Sequence, residues 1–219
     1  MQLRNPARAL KLALAIAALA VVPAGSAQAD TSNDTSQLSV TGGSLAFKSA
    51  PNVPSIGTLT LNGKAQTLTG QMPNWAVEDA SGTASGWNVT VQGESGEGKS
   101  AVFKEYCTSE EECGTVGYVG SGKTLAANSL TLSSSGGAFS GLNGTTGTAP
   151  THSCGSACNV DSASPVKVSS AAENAGMGSW QAESYGVSSL SLSAPTTVKA
   201  LGAGKVYRVD LLWTLSSGP

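Results

Sequence analysis

Apolar residues alternate with polar ones over several short segments, which are separated every eight to fifteen residues by clusters of Gly, Pro or Ser. A period of two is typical of half-buried antiparallel strands. The Asn62-Gly63 pair predicts a hairpin whose return strand contains Leu68. The other predicted strands carry the following apolar residues: Leu38 and Val40; Ile56, Leu59 and Leu61; Trp75 and Val77; Trp87, Val89 and Val91; Leu130 and Leu132; Val166 and Val168; Val187, Leu190 and Leu192.

The clearest alternation lies near the end of the chain. Five apolar residues fall on one face of a predicted central strand, namely Tyr207, Val209, Leu211, Trp213 and Leu215. From about residue 93 to residue 165 the pattern weakens, and only one short strand is predicted, at Leu130 and Leu132. No helix of convincing length is predicted after residue 30. The pattern therefore predicts an all-β fold, an antiparallel β-sandwich with a long, loop-rich middle region.

The first 29 residues have the three parts of a secretory signal peptide. Arg4, Arg8 and Lys11 precede the apolar run from 12 to 22, and Ala27-Gln28-Ala29 provides a small-residue cleavage site. An uncleaved anchor is the alternative, which the shortness of the run disfavours. Residues 30–219 are predicted to form a single domain with no membrane span. Because no apolar tail follows, we expect any attachment to a surface to be non-covalent.

Composition narrows the functional classes. Only 12% of the residues are charged and the net charge is −2, which becomes −5 when the three basic residues of the leader are removed. This balance gives no support for nucleic-acid binding, which depends on Lys and Arg. The single His excludes a His-rich metal site. We predict neither a metal nor another cofactor.

All four cysteines follow the leader, and an even number in an exported chain indicates disulfides. The local pairs Cys107–Cys113 and Cys154–Cys158 are favoured because each closes a polar loop, with a stabilisation of about 2 kcal/mol per bond. A crossed pairing, such as Cys107 with Cys158, is the alternative. Zinc is the competing interpretation, but the C-x5-C and C-x3-C spacings differ from those of ordinary zinc ligands.

Two clusters carry a resemblance to a known family. The sequence near the end reads YRVDLLWTLSSGP, with Trp213-Thr214-Leu215 as a W-x-L motif. Upstream, Trp75-Ala76-Val77 runs into an Asp79-containing turn, and Gly86-Trp87 opens the returning strand. The segment 174–179 is similar to the glycine-rich turn that precedes the family's last hairpin. With the leader, the chain resembles WxL-domain surface proteins of Gram-positive bacteria, and in composition the actinobacterial members.

The resemblance implies an exported β-rich domain that attaches non-covalently to the cell wall, most directly to peptidoglycan. Its motif residues here are Trp75, Val77, Asp79, Trp87, Trp213 and Leu215. The first motif departs from the family because it reads W-x-V and lacks an Arg in its turn, which weakens the expected wall contact. The cysteine-bearing middle is also more elaborate than a minimal domain.

The tryptophans have two interpretations. In the first, Trp75 and Trp213 stack on sugar rings. In the second, they pack inside the sandwich. The large area of an indole ring and the apolar neighbours of both residues favour the second interpretation. Trp180 lies among Gly178, Ser179 and Gln181, so it is the aromatic residue that we predict to be exposed.

Three further features are given structural interpretations. Residues 117–124 match the phosphate-loop pattern G-x-x-x-x-G-K-T, but no following helix is predicted, so we treat the match as fortuitous. His152 is predicted to lie on a surface loop, and Glu110, Glu111 and Glu112 to form a solvated run.

The leading hypothesis is thus a non-catalytic wall-binding protein. The alternatives are a structural or adhesive subunit that assembles with other surface proteins, and a secreted hydrolase.

Overall fold

The computed structural model describes residues 35–219, so the predicted signal peptide lies outside the described part. Val40–Pro219 forms one compact unit. Thr35–Ser39, on the other side of that boundary, is exposed and has no regular secondary structure. The predicted strand at Leu38 and Val40 is therefore wrong, since these side chains are 89% and 81% exposed. Between residues 35 and 219, no helix is both long and apolar enough to cross a membrane.

Short β-strands make up nearly all the regular structure of residues 35–219. The only helix in this part, α1, spans Glu110–Cys113. The strands are β1 (Leu45–Ser49), β2 (Gln66–Gly70), β3 (Trp75–Asp79), β4 (Trp87–Gly93), β5 (Lys104–Cys107), β6 (Gly117–Tyr118), β7 (Leu130–Leu132), β8 (Ala138–Leu142), β9 (Thr151–His152), β10 (Cys158–Asn159), β11 (Val166–Ala171), β12 (Gly178–Glu183), β13 (Leu190–Ala194), β14 (Lys205–Arg208) and β15 (Leu211–Ser217).

The strands pair antiparallel in four sheets, which we call A to D. Sheet A has the order β1-β3-β12-β8, sheet B β10-β7-β13-β2, and sheet C β15-β4-β11-β9. Sheet D is smaller, with the order β14-β5-β6. Most neighbouring strands are far apart in sequence, so the sheets are held by long-range pairing rather than by local hairpins.

One hydrophobic core joins sheets A, B and C. Strand β4 shows how the sequence builds it, because Trp87, Val89 and Val91 are fully buried while the residues between them are not. Strands β3, β7 and β13 bring Trp75, Leu130 and Leu190 into the same cluster. The all-β, antiparallel sandwich prediction is confirmed.

Other predicted strands also differ from the structure. The Asn62-Gly63 turn is present, with a φ of +76° at Gly63, but no strand precedes it, and β2 pairs with β13 instead. The predicted central strand at the end of the chain is two strands, β14 in sheet D and β15 at an edge of sheet C. The break falls at Asp210, a buried residue whose Oδ2 accepts hydrogen bonds from the Ser100 N–H (3.0 Å) and the Tyr118 hydroxyl (2.5 Å).

The loop-rich middle region holds more strands than the one predicted at Leu130 and Leu132, because β5 to β10 all lie between residues 93 and 165. Both predicted local disulfides are confirmed. Cys107–Cys113 encloses α1 with a Cα–Cα distance of 6.1 Å, and Cys154–Cys158 has a Cα–Cα distance of 5.3 Å. These bonds brace loops that have few apolar residues of their own.

Candidate functional site

The first motif strand is buried in the core. Trp75 is 1% exposed, and its ring meets Phe47 and Phe139 edge-on at centroid distances of 6.5 Å and 5.7 Å. Its Nε1 donates a hydrogen bond of 3.0 Å to the Tyr185 hydroxyl. Val77, on the same strand, is fully buried. Neither residue is accessible to a large ligand.

Asp79 ends this strand and shapes the turn that follows. The carboxylate is buried, and its Oδ1 accepts hydrogen bonds from the N–H (3.0 Å) and the hydroxyl (2.6 Å) of Ser81. Gly82 then takes a φ of +71°, which favours glycine. The side chain of Asp79 is thus occupied with its own turn.

Trp87 connects the Gly-Trp segment to the glycine-rich turn. Its Nε1 donates a hydrogen bond of 3.1 Å to the carbonyl oxygen of Gly176. Gly86 has a φ of +72°, and a Cβ there would collide with the Ala171 carbonyl oxygen. Gly176 has a φ of +70°, and its Cβ would lie 2.7 Å from Trp87 Nε1. The two glycines therefore allow the backbone to close around the indole.

The second motif strand, β15, lies at the edge of sheet C. Trp213 and Leu215 are half-buried against the core and pair with Val91 and Val89 of β4. The two motif strands belong to different sheets, but β1, the neighbour of β3, packs against β15. The sheets that hold the two clusters thus meet where β1 packs against β15.

Trp180 was predicted to be exposed, and this prediction is wrong. It is 5% exposed and lies on β12, between β3 and β8 in the middle of sheet A. Its Nε1 donates a hydrogen bond of 2.9 Å to the Met177 carbonyl oxygen. Trp180 lies on the same face of the sheet as its partner Val77, which is fully buried, so the small and polar residues beside it in sequence do not indicate its burial.

The outer face of sheet C is a polar surface that the sequence did not reveal. The residue between Trp213 and Leu215 is Thr214, which is exposed and pairs with Thr90 of β4. One row crosses all four strands through Ser216, Asn88, Ser170 and Thr151. It spans about 14 Å, because neighbouring strands lie about 4.8 Å apart. A second row holds Thr214, Thr90 and Lys167.

His152 is packed more deeply than the predicted surface loop implied, and it lies on β9. Its ring stacks on Phe139 at 4.5 Å, and Nδ1 lies 2.9 Å from the Ser169 hydroxyl. Burial lowers the pKa of His152, an effect that the Ala138 backbone opposes. His152 Nε2 and the Ser134 hydroxyl are buried without a hydrogen-bond partner in residues 35–219. These residues border a cavity of about 350 Å³.

The phosphate-loop look-alike has a different geometry from a nucleotide site. Gly117 and Tyr118 form β6, which pairs antiparallel with β5, and the next residues form a turn instead of a helix. The Lys123 N–H donates a hydrogen bond to the carboxylate of Glu105 at 3.0 Å. A phosphate loop requires free amides at a helix N-terminus, so the match is fortuitous as expected.

The acidic run forms the exposed helix α1, as a solvated run would. Within residues 35–219, no group of three or more His, Cys, Asp or Glu side chains is arranged to hold a metal ion.

A comparison with known protein families tests the resemblance that the two sequence clusters indicated. The family described as WxL domain, surface cell wall-binding, matches residues 22–219. The chain belongs to the WxL-domain family. Members of this family are cell-surface proteins that bind the wall, which places this WxL protein at the cell wall. No curated protein and no solved structure is significantly similar to the chain.

Proposed function

We propose that this WxL protein is an exported, non-catalytic protein that attaches non-covalently to peptidoglycan through the outer face of sheet C. In this proposal the motif residues Trp75, Val77, Asp79, Trp87, Trp213 and Leu215 act as positioning residues, because they hold the sheets that support this face. The glycan chain contacts the outward-facing residues of sheet C, such as Thr214 and Ser216.

The observation that carries the proposal is the division of β15 into two faces. Trp213 and Leu215 pack towards the core, whereas Thr214 and Ser216 are exposed beside the polar residues of β4. Hydroxyl and amide groups both donate and accept hydrogen bonds, as sugar hydroxyls and acetamido groups do. A mostly uncharged surface that is rich in hydroxyl and amide groups therefore suits a neutral glycan chain better than a nucleic acid.

The core beneath this face supports binding by keeping it rigid. Val89 and Val91 are fully buried on the inner side of β4, and Trp87 is anchored by its hydrogen bond to Gly176. A surface that is ordered before binding loses less conformational entropy in the complex. Lys167 adds one exposed cation to the face, where it can pair with a carboxylate of the peptidoglycan stem peptides.

The absence of catalysis is proposed from the environment of the single histidine. A general base needs a reacting proton within hydrogen-bond reach and is commonly oriented by a carboxylate. The ring of His152 is instead stacked on Phe139, and its Nδ1 contacts the Ser169 hydroxyl. This arrangement supports a structural role for the imidazole.

Sedimentation with cell walls stripped of teichoic acid tests the proposal. We expect the exported protein to sediment with intact peptidoglycan, and the double variant Thr214→Glu/Ser216→Glu to stay in solution while remaining folded by circular dichroism. The matched control is Thr67→Glu/Thr69→Glu, which places the same charges on exposed positions of β2, another edge strand. The control is expected to sediment normally.

Two results would contradict the proposal. If wild-type protein does not sediment with stripped walls, peptidoglycan is not the ligand, and a stable complex with other surface proteins would then favour a structural or adhesive role. If the β15 variant sediments as well as the β2 control, the outer face of sheet C is not the contact surface.

A further inference from the structure

Positive charge is concentrated around sheet D although the protein is acidic overall. Residues 35–219 contain 9 Lys and Arg side chains against 12 Asp and Glu. Five of these nine cations lie on sheet D or on the loops beside it, namely Lys104, Lys123, Lys199, Lys205 and Arg208. Net charge alone conceals this local excess.

Two of the five cations are neutralised by buried carboxylates. Lys205 Nζ lies 2.7 Å from Glu105 Oε1, and Arg208 lies 3.2 Å from Asp210 Oδ1. Glu105 and Lys205 lie on the paired strands β5 and β14, and Asp210 lies just after β14. The acidic residues of α1 stand at the opposite end of β5, where Glu112 contacts Gly204.

The other three cations form no salt bridge with a carboxylate in residues 35–219. Lys104 Nζ donates to the Gly120 carbonyl oxygen at 3.0 Å, and Lys123 Nζ donates to the Ala200 carbonyl oxygen at 2.7 Å. Lys199 is exposed. A carbonyl dipole positions an ammonium group without cancelling its charge, so the region keeps a local charge of about +3, counted from these lysines.

A cleft of about 310 Å³ lies at this charged region. Two ammonium groups and three hydroxyl groups line it together with one glycine, namely Lys123, Lys199, Ser121, Thr124, Thr197 and Gly122. Glu105 braces one wall, since its Oε2 accepts the Lys123 N–H and its other oxygen pairs with Lys205. The cleft is therefore built on a fixed strand pair.

We propose that this cleft binds phosphate groups of an anionic, phosphate-bearing polymer of the cell wall. Lysine binds phosphate as a point charge, and the hydroxyl groups supply additional donors. A polymer with repeated charges suits three separate cations, whereas a single carboxylate would engage only one or two. The site is distinct from the outer face of sheet C and does not depend on peptidoglycan being a ligand.

Binding of inorganic polyphosphate to the exported protein tests this assignment, with polyglutamate as the carboxylate probe. In Lys123→Gln/Lys199→Gln we expect the Kd for polyphosphate to rise by about tenfold or more, since two cation contacts are lost. The control Lys64→Gln/Lys99→Gln removes the same charge from positions outside the cleft, and its Kd should stay within about twofold of wild type.

The outcomes separate this site from the peptidoglycan proposal. Weakened polyphosphate binding with normal sedimentation on stripped peptidoglycan is the expected result for the cleft variant. Equal losses in the cleft variant and the control would overturn the site, because only net charge would then matter. Polyglutamate binding as tight as that of polyphosphate would overturn the phosphate class. Loss of peptidoglycan binding in the cleft variant would overturn the independence of the two sites.

Discussion

Replacing Trp75 with alanine would remove a large motif side chain from the core and is expected to destabilise the fold. The side chain is 1% exposed, and truncating a buried Trp costs about 3–5 kcal/mol of unfolding free energy. The Tyr185 hydroxyl would also lose the hydrogen bond that it accepts from Trp75 Nε1, which adds about 1 kcal/mol to the loss of unfolding free energy. For a domain of this size the sum corresponds to a decrease in Tm of about 10–15 °C.

Urea unfolding followed by circular dichroism measures this loss, and two further variants calibrate it. Trp75→Phe keeps an aromatic ring beside Phe47 and Phe139 but loses the N–H, so it should lose about 2 kcal/mol. Leu212→Ala, on the exposed side of β15, should change the unfolding free energy by less than about 0.5 kcal/mol. A loss below about 1.5 kcal/mol in Trp75→Ala, with wall binding abolished, would show that Trp75 is a contact residue.

Three other changes have defined outcomes. Cys107→Ser/Cys113→Ser opens a short loop and should lower the unfolding free energy by about 2 kcal/mol in urea titrations under oxidising conditions; an unchanged midpoint would refute this. Gly86→Ala forces a side chain into the Ala171 carbonyl oxygen at a positive φ, so thermal unfolding should show a loss of about 2–4 kcal/mol, and wild-type stability would exclude the clash. Burial lowers the folded-state pKa of His152 below its unfolded value of 6.5, so stability should fall as the pH drops from about 6.5 through the folded pKa. His152→Gln should flatten that decrease in unfolding titrations between pH 7 and pH 5, and an equally steep decrease in the variant would assign it to other groups.

Alternation predicted the strands that have one buried face. It located β4 because Trp87, Val89 and Val91 pack on the core while the intervening residues face outward. It failed for Trp180, whose neighbour Ser179 is also buried, so that β12 shows no simple period of two. It also failed at Leu38, where an alternating segment has no partner strand. Sequence pattern reports the local preference for a strand but not the presence of a neighbour.

The candidate surfaces depend on pairing between distant segments, which the sequence could not reveal. The outer row of sheet C joins Asn88, Ser170 and Ser216, and only the register of β4 with β11 and β15 brings them together. Likewise, Lys123 and Lys199 are distant in sequence but line the same cleft. By contrast, the local disulfides were predictable because short polar loops bring each cysteine pair close in sequence.

Hydroxyl-radical footprinting of the protein, free and bound to teichoic-acid-free peptidoglycan, tests whether the outer face of sheet C is the contact surface. We expect Leu212 and Lys167 on the outer face of sheet C to become protected on binding. The buried rings of Trp75 and Trp87 should remain unreactive in both states. Unchanged labelling of Leu212 and Lys167, with protection of residues on another face, would contradict this expectation.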